Sequence, residues 1–142
     1  MDESSVIQRV NILTQDPVST LDPYFMVCIS PDESVAAHIW DTLVWLNDDL
    51  ELEPRLAESW RLVNDLTWEL ELRQGVTFHN GEPFDAHAVE FSLKRTAELG
   101  NSMETFADDV ELQDVEIIDD YTVRIHTAKP VVSMAYELST VE

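Results

Sequence analysis

Apolar and charged residues alternate most regularly in residues 67–73 of this chain. Trp68, Leu70 and Leu72 are each followed by a charged residue. A period of two predicts a strand with one face in a core and the other in water. Because parallel sheets are usually covered on both faces, a solvent-exposed face favours an antiparallel sheet. A second extended run, at residues 61–63, lies across a short polar turn and predicts that the two strands form a hairpin.

Two further stretches predict additional strands. Residues 115–118 and 121–126 are extended in pattern and flank Asp119-Asp120, which predicts a second hairpin. In the later strand, alternate positions are apolar and are expected to share one face. Near the start of the chain, residues 6–13 also alternate and predict a strand.

The clearest helical pattern follows a tight-turn signal at Asn80-Gly81. Asp85 is in position to cap this helix, and Gly100 is in position to end it. The apolar residues of one face are Ala86, Val89, Leu93 and Ala97. Phe91 lies off this stripe, which predicts that the helix is covered on more than one side.

A second helix is predicted after Pro31, with Asp32 as its N-cap. Its apolar face would consist of Val35, Ile39, Leu43 and Leu46. The polar run 47–49 is expected to end this helix. Residues 56–60 are expected to form a short apolar turn, and residues 133–138 are expected to start another helix. Hairpins separated from helices along the chain indicate an α+β fold, a small and mainly antiparallel sheet with packed helices.

The composition indicates one folded domain with a very acidic surface. The 142 residues are 44% apolar, which is too much for a disordered chain, and 29 acidic against 8 basic residues give a net charge of −21. Phosphate groups require Lys and Arg, so nucleic acid is excluded as a partner and anionic membranes are disfavoured. Three explanations of the acidity stay open: a solvated surface that maintains solubility, adaptation to high salt, and bound divalent cations. The single cysteine, Cys28, forms no internal disulfide.

One cluster contains residue types that bind divalent metals, namely His79, Glu82, Asp85 and His87. It lacks two histidines one helical turn apart, the spacing that would place both on one helix face. A metal-binding module or metal-dependent enzyme built on these four residues is the alternative hypothesis for function. A free-standing acidic interaction module is a third. No nucleophile motif accompanies the cluster, so neither an enzyme nor a cofactor is predicted.

Five distinctive segments occur in a fixed order along the chain. They are Leu21-Asp22-Pro23, IWDTL at 39–43, LEPRLAESW at 52–60, the long run 66–95, and VEIIDDYTVR at 115–124. In this order they resemble the family 5 extracellular solute-binding proteins, which are the oligopeptide-, dipeptide- and nickel-binding components of ABC importers. The run 66–95 is the most specific part, and the resemblance covers nearly the whole chain.

The resemblance implies a three-domain architecture of the type II periplasmic-binding-protein class, with two lobes that close on a ligand like a clamp. Residues 1–33 would supply the first strand and the ligand-side loop of the principal lobe, and residues 34–142 most of a small inserted domain. Members of the family are several times longer. The chain is therefore expected to be an N-terminal fragment that does not bind solute alone.

The implied function is non-catalytic capture of a peptide-like solute for an ABC permease in the membrane. The implied location is the periplasm or the cell exterior, with attachment through a lipid anchor or through the transporter. The ligand-side loop maps onto four residues that are the expected ligand contacts, Ser30, Asp32, Glu33 and Ser34. No metal ligand is implied.

Overall fold

The structure, a computed structural model, describes residues 17, 18, 20, 22, 35–99 and 106–140. The chain divides into two units, Met1–Ile39 and Trp40–Glu142. In the first unit, residues 35–39 form a helical turn in which the His38 N–H donates to the carbonyl of Val35 at 3.0 Å. The predicted strand at 6–13 and the predicted cap Asp32 lie outside the described residues.

The second unit begins with four strands, which two helices, two further strands and a last short helix follow. In chain order its elements are β1 (Val44–Leu46), β2 (Leu52–Pro54), β3 (Ala57–Asn64), β4 (Thr67–Leu72), α1 (Ala86–Leu99), α2 (Phe106–Asp109), β5 (Leu112–Asp119), β6 (Thr122–Thr127) and α3 (Met134–Glu137). None of the helices in the described part of the chain is long and apolar enough to cross a membrane.

Four of the strands form one antiparallel sheet in the order β3-β4-β6-β5. Both predicted hairpins are confirmed, β3 with β4 and β5 with β6. The hairpins are joined at the centre of the sheet, where Trp68 lies opposite Ile125 and Leu70 opposite Val123. The α+β prediction is confirmed as well. Central pairing between the two hairpins places their alternating apolar residues on one continuous face.

That apolar face packs with the helices into a single core. The most deeply buried members include Leu70, Leu93, Val110, Val115, Val123, Ile125, Met134 and Leu138. The helix predicted at 133–138 is confirmed as α3, and this segment contributes two of these residues. Helix α2 was not predicted. Its sequence, FADD, is too short to show a helical period, although Phe106 and Ala107 are buried.

The helix predicted over Leu43 and Leu46 is wrong. Residues 44–46 are strand β1, which pairs with β2 in a small separate sheet. The physical reason is the turn between them, in which the Asn47 side-chain oxygen accepts hydrogen bonds from the N–H groups of Asp49 (3.0 Å) and Glu51 (2.9 Å). This side-chain turn folds the chain back on itself and competes with helix continuation.

The apolar turn predicted at 56–60 is also wrong, because most of it belongs to β3. The N–H of Ala57 donates to the carbonyl of Leu43 at 2.8 Å, and Trp60 lies opposite Leu70 in the sheet. A register shift follows Ala57. Pairing with the regular strand β4 therefore extends the hairpin beyond the run that alternation alone indicates.

Helix α1 begins as predicted. The carboxylate of Asp85 accepts hydrogen bonds from the N–H groups of His87 (2.9 Å) and Ala88 (3.1 Å). The buried face differs at one end, where Ala97 is exposed and Thr96 is buried. The predicted second covered side is wrong, because Phe91 is 70% exposed. The ring of Phe91 thus lies largely in solvent. Gly100 lies outside the described residues.

Candidate functional site

The four residues predicted to contact a ligand, Ser30, Asp32, Glu33 and Ser34, lie outside the described residues. Their role stays a prediction. The described part of the chain does allow the alternative metal site and the surface of the sheet to be evaluated.

The four candidate metal ligands are not brought together. Glu82 is engaged at the turn, where it accepts a hydrogen bond of 2.9 Å from the Asn80 side chain. Asp85 caps α1, and His87 faces Glu90 at 4.0 Å on the exposed side of that helix. In the described residues, no group of three or more His, Cys, Asp or Glu side chains is arranged to hold a metal ion. The structure does not favour the metal hypothesis.

A row of four charged side chains crosses the polar face of the sheet, one from each strand. In strand order these are Arg61, Glu69, Arg124 and Glu116, which are register partners. Arg124 Nε donates to Glu69 Oε2 at 2.8 Å, and Arg61 Nη2 donates to Glu69 Oε1. On the other side, Arg124 Nη1 lies 3.9 Å from Glu116 Oε2. The charges alternate in sign, so each cross-strand pair is attractive.

Glu69 is only 7% exposed, although it lies on the face predicted to be in water. The two arginine side chains surround its carboxylate and satisfy it. The hydrogen bond from Arg124 holds the pKa of Glu69 below its ordinary value, against the opposing effect of burial, and Arg61 lowers the pKa further. The charged carboxylate of Glu69 therefore links strand β4 to its two neighbours, β3 and β6, and its role is structural.

A second polar contact joins the sheet to helix α1. Lys94 Nζ lies 2.9 Å from Asp114 on β5 and 2.9 Å from Glu90 on its own helix. The hydrogen bond to Asp114 raises the pKa of Lys94, and the same hydrogen bond lowers the pKa of Asp114. On the neighbouring strands, His126 Nε2 lies 3.2 Å from Glu116 Oε2. These groups are also paired with each other rather than directed at a ligand.

An open cleft of about 530 Å³ lies where β4 ends and β6 begins. Its lining includes four carboxylates, those of Glu58, Glu71, Asp119 and Asp120, together with Tyr121 and Gln74. All four acidic residues are exposed. The sequence pattern indicates only a turn at Asp119-Asp120, because the approach of β3 and β4 to that turn depends on the order of the strands.

The sequence of the chain is similar to known proteins over most of its length. A family model described as bacterial extracellular solute-binding proteins, family 5 Middle, matches residues 51–141. The glutathione-binding protein GsiB of Salmonella paratyphi A is 33% identical over 113 residues, which is 79% of this chain and 22% of GsiB. The chain thus spans about a fifth of the length of this relative.

Solved structures show the same fold. An ABC transporter substrate-binding protein from Sinorhizobium meliloti superimposes with a TM-score of 0.77 at 29% identity, over 89% of this chain and 26% of that one. NikA from Brucella suis, in complex with Fe(III)-EDTA, gives a TM-score of 0.72 at 30% identity, over 86% of this chain and 24% of NikA. The predicted periplasmic-binding-protein architecture is therefore confirmed. The family match and these likenesses together show that the chain belongs to the family 5 bacterial extracellular solute-binding proteins.

Proposed function

We propose that this chain is part of a protein that captures a peptide-like solute outside the cytoplasm and delivers it to an ABC permease. The observation that carries the proposal is the family match over residues 51–141, which includes the whole four-stranded sheet and α1. The peptide class is supported by GsiB, whose named ligand, glutathione, is a tripeptide. Capture involves no chemical conversion of the solute.

Within that protein, residues 1–33 belong to the principal lobe and residues 34–142 form most of the inserted domain, on the resemblance described above. The complete protein exchanges between open and closed states. Solute binds the closed state more tightly and shifts the population toward it. In this arrangement Ser30, Asp32, Glu33 and Ser34 contact the solute from the principal lobe. The inserted domain is stabilised by its own core and by its charge row.

The test of the function is calorimetric titration of the product of the complete reading frame. The panel consists of glutathione, di- and tripeptides, a sugar and a nickel–histidine chelate. Saturable binding of glutathione or a peptide is the expected result. Binding of the chelate or the sugar alone would overturn the peptide class, and binding of nothing would overturn solute capture.

The ligand contacts are tested in the same complete product. Asp32→Ala is expected to weaken binding of whichever peptide the titration identifies. The matched control is Asp48→Ala, which removes an equivalent carboxylate from the exposed turn between β1 and β2. Equal affinities for the two variants would contradict the assignment of Asp32.

The 142-residue chain alone is expected to bind the solute no better than millimolar. A clamp-type site encloses most of a ligand between two lobes. A few exposed hydrogen bonds contribute about 0.5–1.5 kcal/mol each, whereas immobilising the ligand costs about 4 kcal/mol or more. NMR titration of the chain measures this directly. Chemical-shift changes at Ser30 and Ser34 that saturate at micromolar solute would show that one lobe is enough for binding.

A further inference from the structure

Most basic side chains of the described region are already paired with carboxylates. These ion pairs include Arg55 with Asp41, Arg61 with Glu69, Lys94 with Glu90 and Asp114, Arg124 with Glu69 and Glu116, and Lys129 with Glu111. Lys94 and Arg124 therefore each form ion pairs with two carboxylates. With 29 acids against 8 bases in the chain, pairing leaves a large excess of negative charge.

Exposed carboxylates lie close together in two places in the described part of the chain. In the cleft beside β4 and β6, four exposed carboxylates line a single opening. A second patch is the turn between β1 and β2, where Asp48, Asp49 and Glu51 follow one another closely and are all exposed. The charges within each patch repel each other at separations that water at low salt does not fully screen, since the Debye length is about 10 Å at 0.1 M.

We propose that the folded state of this protein is adapted to multimolar monovalent salt, which stabilises it by screening these acidic patches. At 1 M salt the Debye length falls to about 3 Å, so repulsion between exposed carboxylates is largely removed. Salt weakens attractive surface pairs too. Repulsion nevertheless dominates in a chain with 29 acids and 8 bases, and the most buried pair, Glu69 with Arg124, is screened least. The net effect of added salt on stability is therefore positive.

The test is thermal unfolding of the 142-residue chain, followed by circular dichroism, in potassium chloride. We expect the Tm to rise by about 10 °C or more between about 0.1 M and 3 M salt. A chain that is unfolded at low salt and folds as salt is added supports the proposal equally. A Tm that is constant or falls, or a chain that stays unfolded throughout, overturns it.

Two charge variants distinguish the screening of carboxylate repulsion from the strengthening of apolar burial by salt. The cleft variant combines Glu58→Gln, Asp119→Asn and Asp120→Asn. It is expected to melt higher than the parent chain at low salt and to gain less from added salt. The control variant removes three paired carboxylates through Glu90→Gln, Asp114→Asn and Glu116→Gln, and it is expected to melt lower at low salt.

If the parent chain and the cleft variant gain equally from salt, the stabilisation comes from strengthened apolar burial and the proposal fails. Magnesium and calcium chloride provide the last comparison. If millimolar concentrations of either reproduce the full effect of multimolar potassium chloride, the surface binds divalent cations at discrete sites, and the proposal also fails.

Discussion

The indole Nε1 of Trp68 donates a hydrogen bond of 3.0 Å to the carbonyl oxygen of Val131, which is 63 residues further along the chain. Trp68 lies on the central strand β4, and Val131 precedes helix α3. The bond fixes the chain at the point where it leaves the sheet. Met134 and Leu138, on and just after α3, are then completely buried against the core.

Trp68→Phe is expected to lower the free energy of unfolding by about 1 kcal/mol or more. The substitution keeps a six-membered ring but removes the indole N–H, so the carbonyl of Val131 loses its donor. Urea unfolding followed by circular dichroism measures the change. Trp45→Phe is the control. Its ring is partly exposed and lies 4.8 Å from the Arg55 guanidinium, a contact that Phe retains in part. Equal losses in the two variants would contradict a role for the hydrogen bond.

Glu69→Gln is expected to destabilise the fold by about 1.5–3 kcal/mol at neutral pH, since it removes a buried charge that accepts hydrogen bonds from two arginines. The matched control is Glu116→Gln at the end of the same row. Its side chain is about half exposed and lies further from Arg124, so a change below about 1 kcal/mol is expected. A loss in Glu69→Gln as small as that of the control would contradict the role of the buried charge.

Comparison of the parent chain with Glu69→Gln also tests a pH prediction. The pKa of Glu69 in the folded state is below its ordinary value of 4.5, so its contribution to stability is complete above that value. As pH falls below 4.5 and through the lower folded pKa, this contribution is lost. The difference in unfolding free energy between the parent chain and Glu69→Gln should therefore shrink on acidification. A difference that stays constant down to the acid transition would contradict a stabilising role for the ionised Glu69 carboxylate.

Two large apolar residues of helix α1 are expected to contribute very differently to stability. Leu93→Ala should cost about 2–5 kcal/mol because Leu93 is in the core, whereas Phe91→Ala should change stability by no more than about 0.5 kcal/mol. Both are measured by chemical denaturation of the 142-residue chain. A large loss in Phe91→Ala would show that this exposed ring is covered after all.

Asp85→Ala is expected to cost about 0.5–2 kcal/mol, since it leaves two N–H groups at the start of α1 without their acceptor. Asp85→Asn keeps an oxygen acceptor and should retain most of the stability. Thermal unfolding of the two variants distinguishes a cap from a required negative charge. Equal destabilisation would favour the charge.

Strong local patterns were enough to predict most of the sheet and its main helix from sequence. The alternation at Trp68, Leu70 and Leu72 and the cap at Asp85 concern neighbours along the chain, and each appears in the structure as predicted. The family, too, follows from the order of local motifs. The corrections fall where the local signal was ambiguous. Residues 43 and 46 have the spacing of a helix, yet the turn that follows makes residues 44–46 a strand.

The candidate site is less well determined by sequence. The ligand-side prediction at Ser30, Asp32, Glu33 and Ser34 comes from resemblance, and the metal hypothesis comes from residue types close in sequence that the fold holds apart. Nearness along the chain does not establish convergence of side chains, because the turn at Asn80 and the start of α1 direct them to separate partners.

The sequence by itself determined the hairpins, the cap of α1, the acidic surface and the family, because each depends on local spacing, composition or motif order. The tertiary structure decided what depends on strand order. Only the β3-β4-β6-β5 arrangement places Arg61, Glu69, Arg124 and Glu116 in one row, although Glu69 and Arg124 are 55 residues apart in sequence. The same arrangement buries a carboxylate on a face that alternation assigns to water, since two arginines from neighbouring strands cover it.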